Sequence, residues 1–210
     1  MRKFLLGCGI VSSPLYVLTD LLGGLHYPGY SFASQGVSEL MAIGSPSRGL
    51  VDPLFILYDL LAVAFGIGVL REAGDNARLR RSGLLLIAYA AAGMLGPPFF
   101  SMHMRGTGSF ASDKAHIVLT AVLVVFMFLA IGFAGLALDR RFRVYSLATV
   151  IVLLVFGAIA GAYGGRLAAQ QPTPGLGVYE RISIYSYLLW VVVLAVVLRR
   201  RADAEEPGTR

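Results

Sequence analysis

The chain has 210 residues, 57% of them hydrophobic and only 14% charged, with a net charge of +6. A soluble domain of this size carries roughly a quarter charged residues, because water must wet its surface. The composition excludes an ordinary aqueous globule, and charges clustered between long apolar runs point to lipid as the solvent. Lipid cannot hydrogen-bond a backbone, so a spanning segment must be a helix or part of a closed barrel. The runs are near-continuous rather than alternating, which favours helices over barrel strands. The expected fold is an all-α polytopic membrane helix bundle with six transmembrane helices. It forms one domain over residues 1–201, followed by a short disordered tail, 202–210.

In chain order, the spans are expected near 4–23, 51–71, 82–101, 114–138, 144–168 and 179–199. Cys8 lies in Leu5-Leu6-Gly7-Cys8, which resembles a lipoprotein processing box. Phe4 to Gly7 is too short for an h-region of about 7–15 residues, so an uncleaved first helix is expected. As the lone cysteine, Cys8 also excludes an intramolecular disulfide and a multi-cysteine metal site. Ser12, Tyr16 and Asp20 form one stripe at i, i+4, i+8 along the first span. In the first long loop, Val37, Leu40 and Met41 share a helical face, with Ser34 as N-cap and Gly44 as C-cap. A short interfacial helix is expected there, a candidate lid over one mouth of the bundle.

Asp52 and Asp59 lie seven apart on the second span, with Asp59 about 10 Å deeper. Pro97-Pro98 must break or kink the third span, because proline removes a donor and clashes with the preceding turn. Such a break in lipid hints at a cavity that re-satisfies the freed carbonyls. Gly157, Gly161 and Gly165 repeat every four residues on the fifth span, a strip for close packing or homo-oligomer contact. Glu180, Ser183, Tyr187 and Trp190 follow the helical repeat on the sixth.

Thirteen of the eighteen Lys and Arg fall at one end of the spans and five (Arg48, Arg105, Lys114, Arg166, Arg181) at the other. This split predicts a multi-pass protein of the cell (inner or plasma) membrane with both termini cytoplasmic. The basic residues sit as collars at helix ends, not as a face with aromatic readers, so no nucleic-acid partner is expected.

Ionisable residues inside spans are functional candidates by default. Asp20, Glu39, Asp59, His116 and Glu180 are the expected catalytic set, gathered in a polar funnel that opens away from the cytoplasm. Asp52 and Asp113 also read as helix N-caps, and Glu180 and Arg181 as snorkelling interfacial residues. His103, His116 and Asp113 are the candidate metal ligands, a set that suits Zn²⁺ with one open position.

Tyr27-Pro28-Gly29-Tyr30, Ser34-Gln35-Gly36-Val37-Ser38-Glu39-Leu40 and Gly44-Ser45-Pro46 resemble the first-loop signature of the domain of unknown function 998 family. Those are small prokaryotic integral membrane proteins. The later Gly96-Pro97-Pro98 and His116 are similar to its Gly-Pro-rich third-span end and early fourth-span histidine. Where that family shows a Gly-Leu-Phe-Pro run, this chain has Gly96-Pro97-Pro98-Phe99. The resemblance implies a six-helix membrane fold and no particular activity.

Three functions stay open. The first is an enzyme acting on a lipid or other lipophilic substrate by acid/base or metal-assisted chemistry. The second is a binding or transport protein for protons or a small solute. The third is a structural protein whose buried carboxylates pair with Arg166 or Arg181. Membrane lipids, and in the first case a lipophilic small molecule, are the expected partners.

Overall fold

The computed structural model describes residues 1–108, 110–169 and 171–205. Its helices are α1 (Arg2–His26), α2 (Arg48–Glu72), α3 (Ala77–Gly93), α4 (Gly96–Phe99), α5 (Ala111–Ala137), α6 (Arg140–Gly161), α7 (Gly164–Ala168) and α8 (Leu176–Glu205), with a 3₁₀ turn at Val37–Met41. Six segments are long and apolar enough to cross a membrane, with α3–α4 and α6–α7 each acting as one interrupted span. The chain is therefore an all-α polytopic bundle of six membrane-type helices.

Each helix runs longer than its apolar core, because the arginines at the turns still satisfy their backbone helically. Asp139 accepts from the Phe142 amide (3.0 Å), so α6 already starts at Arg140. Asn76 caps α3 in the same way through Leu79 (3.1 Å). The tail expected from residue 202 is helical to Glu205, and Asp203 pairs with Lys3 at 2.8 Å. Residues 206–210 lie outside the described residues.

The spans close a ring in which α1 touches α2, α2 touches α3, then α5, α6 and α8 follow, and α8 returns to α1. The α8 window is the most enclosed, 44% buried, and the α6 window the least, 17%. Inside the ring Trp190 is fully buried against Phe142 and Tyr187, and its indole N–H donates to Ser146 Oγ (3.0 Å). Outside it, Phe4, Val11, Ile117, Val118 and Leu154 are exposed, as lipid-facing residues should be.

Helices in lipid gain nothing from moving apolar surface out of water, so small residues that let backbones meet decide the contacts. A Cβ at Gly68 would sit 2.9 Å from the Leu6 nitrogen, and one at Gly9 would sit 2.6 Å from the Phe65 ring. These positions make the α1–α2 seam. The Gly157/Gly161/Gly165 strip does not pack this way: Gly161 and Gly165 have nothing within 4 Å, and Gly157 meets only Ser183 Oγ at 3.8 Å. That strip faces away from the rest of the bundle.

Both termini lie at the arginine-rich end. The opposite end is covered by three connections, and the first of them, between α1 and α2, is the lid. Its 3₁₀ turn is not an amphipathic helix resting on a surface. Val37 and Leu40 are buried with Val51 and Phe55, so the turn plugs into the mouth. Ser47, not Asp52, is the residue before α2, and Ser47 Oγ donates to the Leu40 carbonyl (2.7 Å).

Gly68→Ala should destabilise the protein by about 1–3 kcal/mol through overpacking against the α1 backbone. Gly161→Ala should leave the midpoint unchanged. Thermal unfolding in detergent micelles reads both.

Candidate functional site

The capped end is organised around one cation. Arg181, on the first turns of α8, is 9% exposed and points inward. Its Nε and Nη2 donate to Asp20 Oδ2 and Oδ1, both at 2.8 Å, a two-pronged pair that fits a planar fork to a carboxylate. Nη2 also donates to Tyr30 Oη (2.7 Å), and Nη1 to the carbonyls of Phe32 (2.9 Å), Gln35 (2.9 Å) and Gly177 (3.1 Å). Every guanidinium N–H is engaged. Asp20 is fully buried, and its second oxygen also accepts from the Tyr185 hydroxyl at 2.5 Å. Burial pushes the Tyr30 phenol well above its ordinary range, so it stays a donor to the Gly36 carbonyl (2.7 Å).

A second pair fastens the same lid. Arg105, in the connection before α5, donates to Glu39 at 2.7 and 2.6 Å and to the Ser34 carbonyl at 3.1 Å. Glu39 also accepts from the Gly36 amide (3.0 Å) and the Gln35 side chain (3.1 Å). Glu180, half-buried, accepts from the Val37 amide (3.1 Å), and Thr173 donates to the Ser34 carbonyl (2.7 Å). A Cβ at Gly36 would collide with the Glu180 carboxylate, and one at Gly177 with the Phe32 and Gln35 carbonyls, so both glycines are required by the approach.

The histidines stand apart from this cluster. His103 stacks on Phe110 with centroids 3.8 Å apart, and Asp113 accepts from its amide (2.8 Å) with its Nδ1 at 3.1 Å. Asp113 also caps the start of α5 through the Phe110 amide (2.9 Å). His116 turns elsewhere, with Nδ1 donating to the Phe100 carbonyl at 2.8 Å. Among the described residues no group of three or more His, Cys, Asp or Glu is placed to hold a metal.

The double proline ends α3 at Gly93 and begins the short α4 turn. The Pro97 carbonyl accepts from Arg48 Nη2 (2.9 Å) and Ser101 Oγ (2.8 Å), so protein groups rather than a cavity satisfy this side of the break. Arg48 meanwhile holds one oxygen of Asp52 at 3.1 Å.

Asp59 differs from the acids of the capped end. It lies near the middle of α2, about 16 Å along the helix from Arg48, and is 6% exposed. Among the described residues nothing donates a hydrogen bond to it, and no cation pairs with it. Its carboxylate rests against the last residue of α3, where a Cβ on Gly93 would lie 2.8 Å from Oδ1. Tyr58, Tyr89 and Tyr187 are its electrostatic neighbours. Tyr16 packs edge-on to Tyr58 at 5.0 Å and lies within reach of Asp20, so phenols bridge the region between the two aspartates.

The expected funnel therefore resolves into two places. Asp20, Glu39 and Glu180 come together at the capped end, Asp59 sits alone among phenols, and His116 joins neither. Tyr30, Arg105, Tyr185 and Tyr89 stand outside the expected site residues. Arg181 and Tyr185, at i and i+4, carried a visible signal of a shared face. Arg105 and Glu39, 66 positions apart, carried none. Two apolar grooves run along the outside of α8, one of about 660 Å³ against the lid beside Phe32, Arg181 and Ser186 and one of about 400 Å³ at the α1–α8 seam beside Ser13, Leu18 and Val192. They share Tyr185 and Leu189.

Removing one partner of a buried ion pair leaves an uncompensated charge and costs about 3–5 kcal/mol. Arg181→Ala should lower the unfolding midpoint by that scale and open the 27–47 connection to protease. Arg166→Ala, which removes an exposed guanidinium resting on the Tyr163 ring, should do neither. Limited proteolysis with thermal unfolding distinguishes the two.

No curated protein and no solved structure matches the chain. A family model does, described as "Protein of unknown function (DUF998)", over residues 10–197. The match spans nearly the whole helix bundle, from within α1 to the last turns of α8, and the chain belongs to that family.

Proposed function

We propose that this protein binds and passes a small positive charge, in the simplest case a proton, with Asp59 as the group that carries it. The supporting observation is a buried mid-span carboxylate with no donor and no counter-ion among the described residues. An isolated carboxylate in a low-dielectric interior costs far too much to keep bare, so it neutralises itself by taking up a cation or a proton. The other acids of the expected catalytic set do not have that freedom. Asp20, Glu39 and Glu180, which an acid/base enzyme would need, are occupied by Arg181, Arg105 and backbone amides.

In this reading the lid closes the mouth, and the phenols of Tyr58, Tyr89 and Tyr16 line the way from Asp59 toward Asp20 and Tyr185. The arginine asymmetry supports an orientation in a cell membrane with both termini cytoplasmic and the lid on the opposite side. Enzyme action on a lipophilic substrate keeps one support, the two grooves along α8, whose apolar walls reach Tyr185 beside the Arg181 pair. That reading requires Leu189→Trp, which fills both grooves, to displace a co-purifying lipid in native mass spectrometry.

Proteoliposomes carrying a pH-sensitive dye test the main reading under an imposed gradient. Wild-type protein should dissipate the gradient, Asp59→Asn should reduce the flux to the level of empty vesicles, and Arg166→Ala should match wild type. Equal flux through wild type and Asp59→Asn would remove Asp59 as the carrier.

A further inference from the structure

The surroundings of Asp59 are more specific than a proton needs. The carboxylate abuts Gly93, the final residue of α3, and the next helical segment starts only at Gly96. Pro97 and Pro98 carry no amide hydrogen, so the carbonyls of Gly93 and Met94 lack the donors that a continuous helix would supply four residues on. A helix C-terminus concentrates partial negative charge, and an anion beside it is disfavoured. The fold nevertheless places a buried carboxylate against that end. Gly93 eases that approach, since a Cβ there would lie only 2.8 and 3.0 Å from the carboxylate oxygens and crowd them.

A carboxylate and the half-buried end of a helix thus lie side by side, and the polar groups nearby are oxygens: the Asp59 carboxylate, the two carbonyls of the helix end and the neighbouring phenols. Carboxylate, carbonyl and hydroxyl oxygens suit hard cations rather than soft or imidazole-seeking ones. The charge count narrows the choice further. One carboxylate neutralises one positive charge, whereas a divalent ion would keep a net charge of +1 in a low-dielectric interior. The titratable neighbours are Tyr58 on α2 itself, Tyr89 on α3 and Tyr187 on α8, all phenols. No cationic side chain pairs with Asp59 among the described residues. A broken helix end that offers carbonyls to a monovalent ion is also how interrupted spans are tolerated in membrane proteins.

We propose that Asp59 and the interrupted end of α3 at Gly93–Met94 form a binding site for a dehydrated monovalent alkali cation. This deepens the reading above, because it rests on Asp59 as the charge-carrying group and names the ion.

The test uses the full chain in detergent, with thermal unfolding recorded in sodium, lithium, potassium and choline chlorides at constant ionic strength. A ligand that binds only the folded state raises the midpoint with a saturating dependence on its concentration. At least one alkali cation should raise the midpoint by several degrees over choline. Asp59→Asn should abolish the rise, and since it removes an uncompensated charge it should still fold. Gly93→Ala should weaken the rise through crowding of the carboxylate. Asp20→Asn should lower the absolute midpoint yet keep the rise. Midpoints identical in choline and in every alkali salt would overturn the proposal, as would a rise that survives in Asp59→Asn. If proteoliposome flux nevertheless remains sensitive to Asp59→Asn, the carried charge is a proton and only the alkali site is lost. If that sensitivity is absent too, both readings fail.

Discussion

The guanidinium of Arg181 ties three separate parts of the chain into one end of the bundle. It reaches α1 through Asp20, the lid through Tyr30, Phe32 and Gln35, and its own helix through Gly177. A charge this enclosed survives in lipid only because an opposite charge meets it at two points and carbonyls take the remaining hydrogens. The position of the lid follows from that requirement. Once Phe32 and Gln35 must present their carbonyls to Arg181, the Val37–Met41 turn has only the mouth of the bundle to enter. Glu39 and Arg105 then repeat the device one layer further out.

Beneath the layer held by Arg181 and Arg105 the same constraint is left open at Asp59. Asp59 receives neither a guanidinium nor an amide, and the helix end beside it contributes more negative potential rather than less. Two layers of one bundle thus treat a carboxylate in opposite ways. The upper layer spends its acids on holding a loop in place. The lower layer leaves one acid without a partner among the described residues, near the phenols of Tyr58, Tyr89 and Tyr187, and in the proposed reading that acid serves a mobile positive charge. At the mouth, Asp20 is held by Arg181 and Tyr185, Glu39 by Arg105, and Glu180 by the Val37 amide.

Much of this was legible in the sequence where periodicity and solvent chemistry act locally. Six apolar runs and the arginine collars gave the helix number and the shared end for both termini. Pro97-Pro98 announced the break after Gly93, and Val37, Leu40 and Met41 announced the turn in the first connection. The boundaries were drawn too short, since arginines at helix ends snorkel without breaking the helix. The glycine repeat at Gly157, Gly161 and Gly165 suggested close packing or homo-oligomer contact; within one chain it makes no tight seam, since spacing alone cannot say which way a strip faces, and on α1–α2 the close approaches are at Gly9 and Gly68. Pairing was the least legible link. That Asp20 would choose Arg181, and Glu39 Arg105, depends on how loops fold back over 161 and 66 positions. The asymmetry between Asp59 and the other acids emerged only once those partners were assigned.

Infrared spectroscopy of the protein in lipid vesicles bears most directly on whether Asp59 is the uncompensated acid. Difference spectra between wild type and Asp59→Asn, collected as pH and sodium are varied, should show one carboxyl band that responds to both and vanishes in the variant. The same band should persist in Asp20→Asn. A responsive band that survives Asp59→Asn, or that disappears with Asp20 instead, would contradict the account.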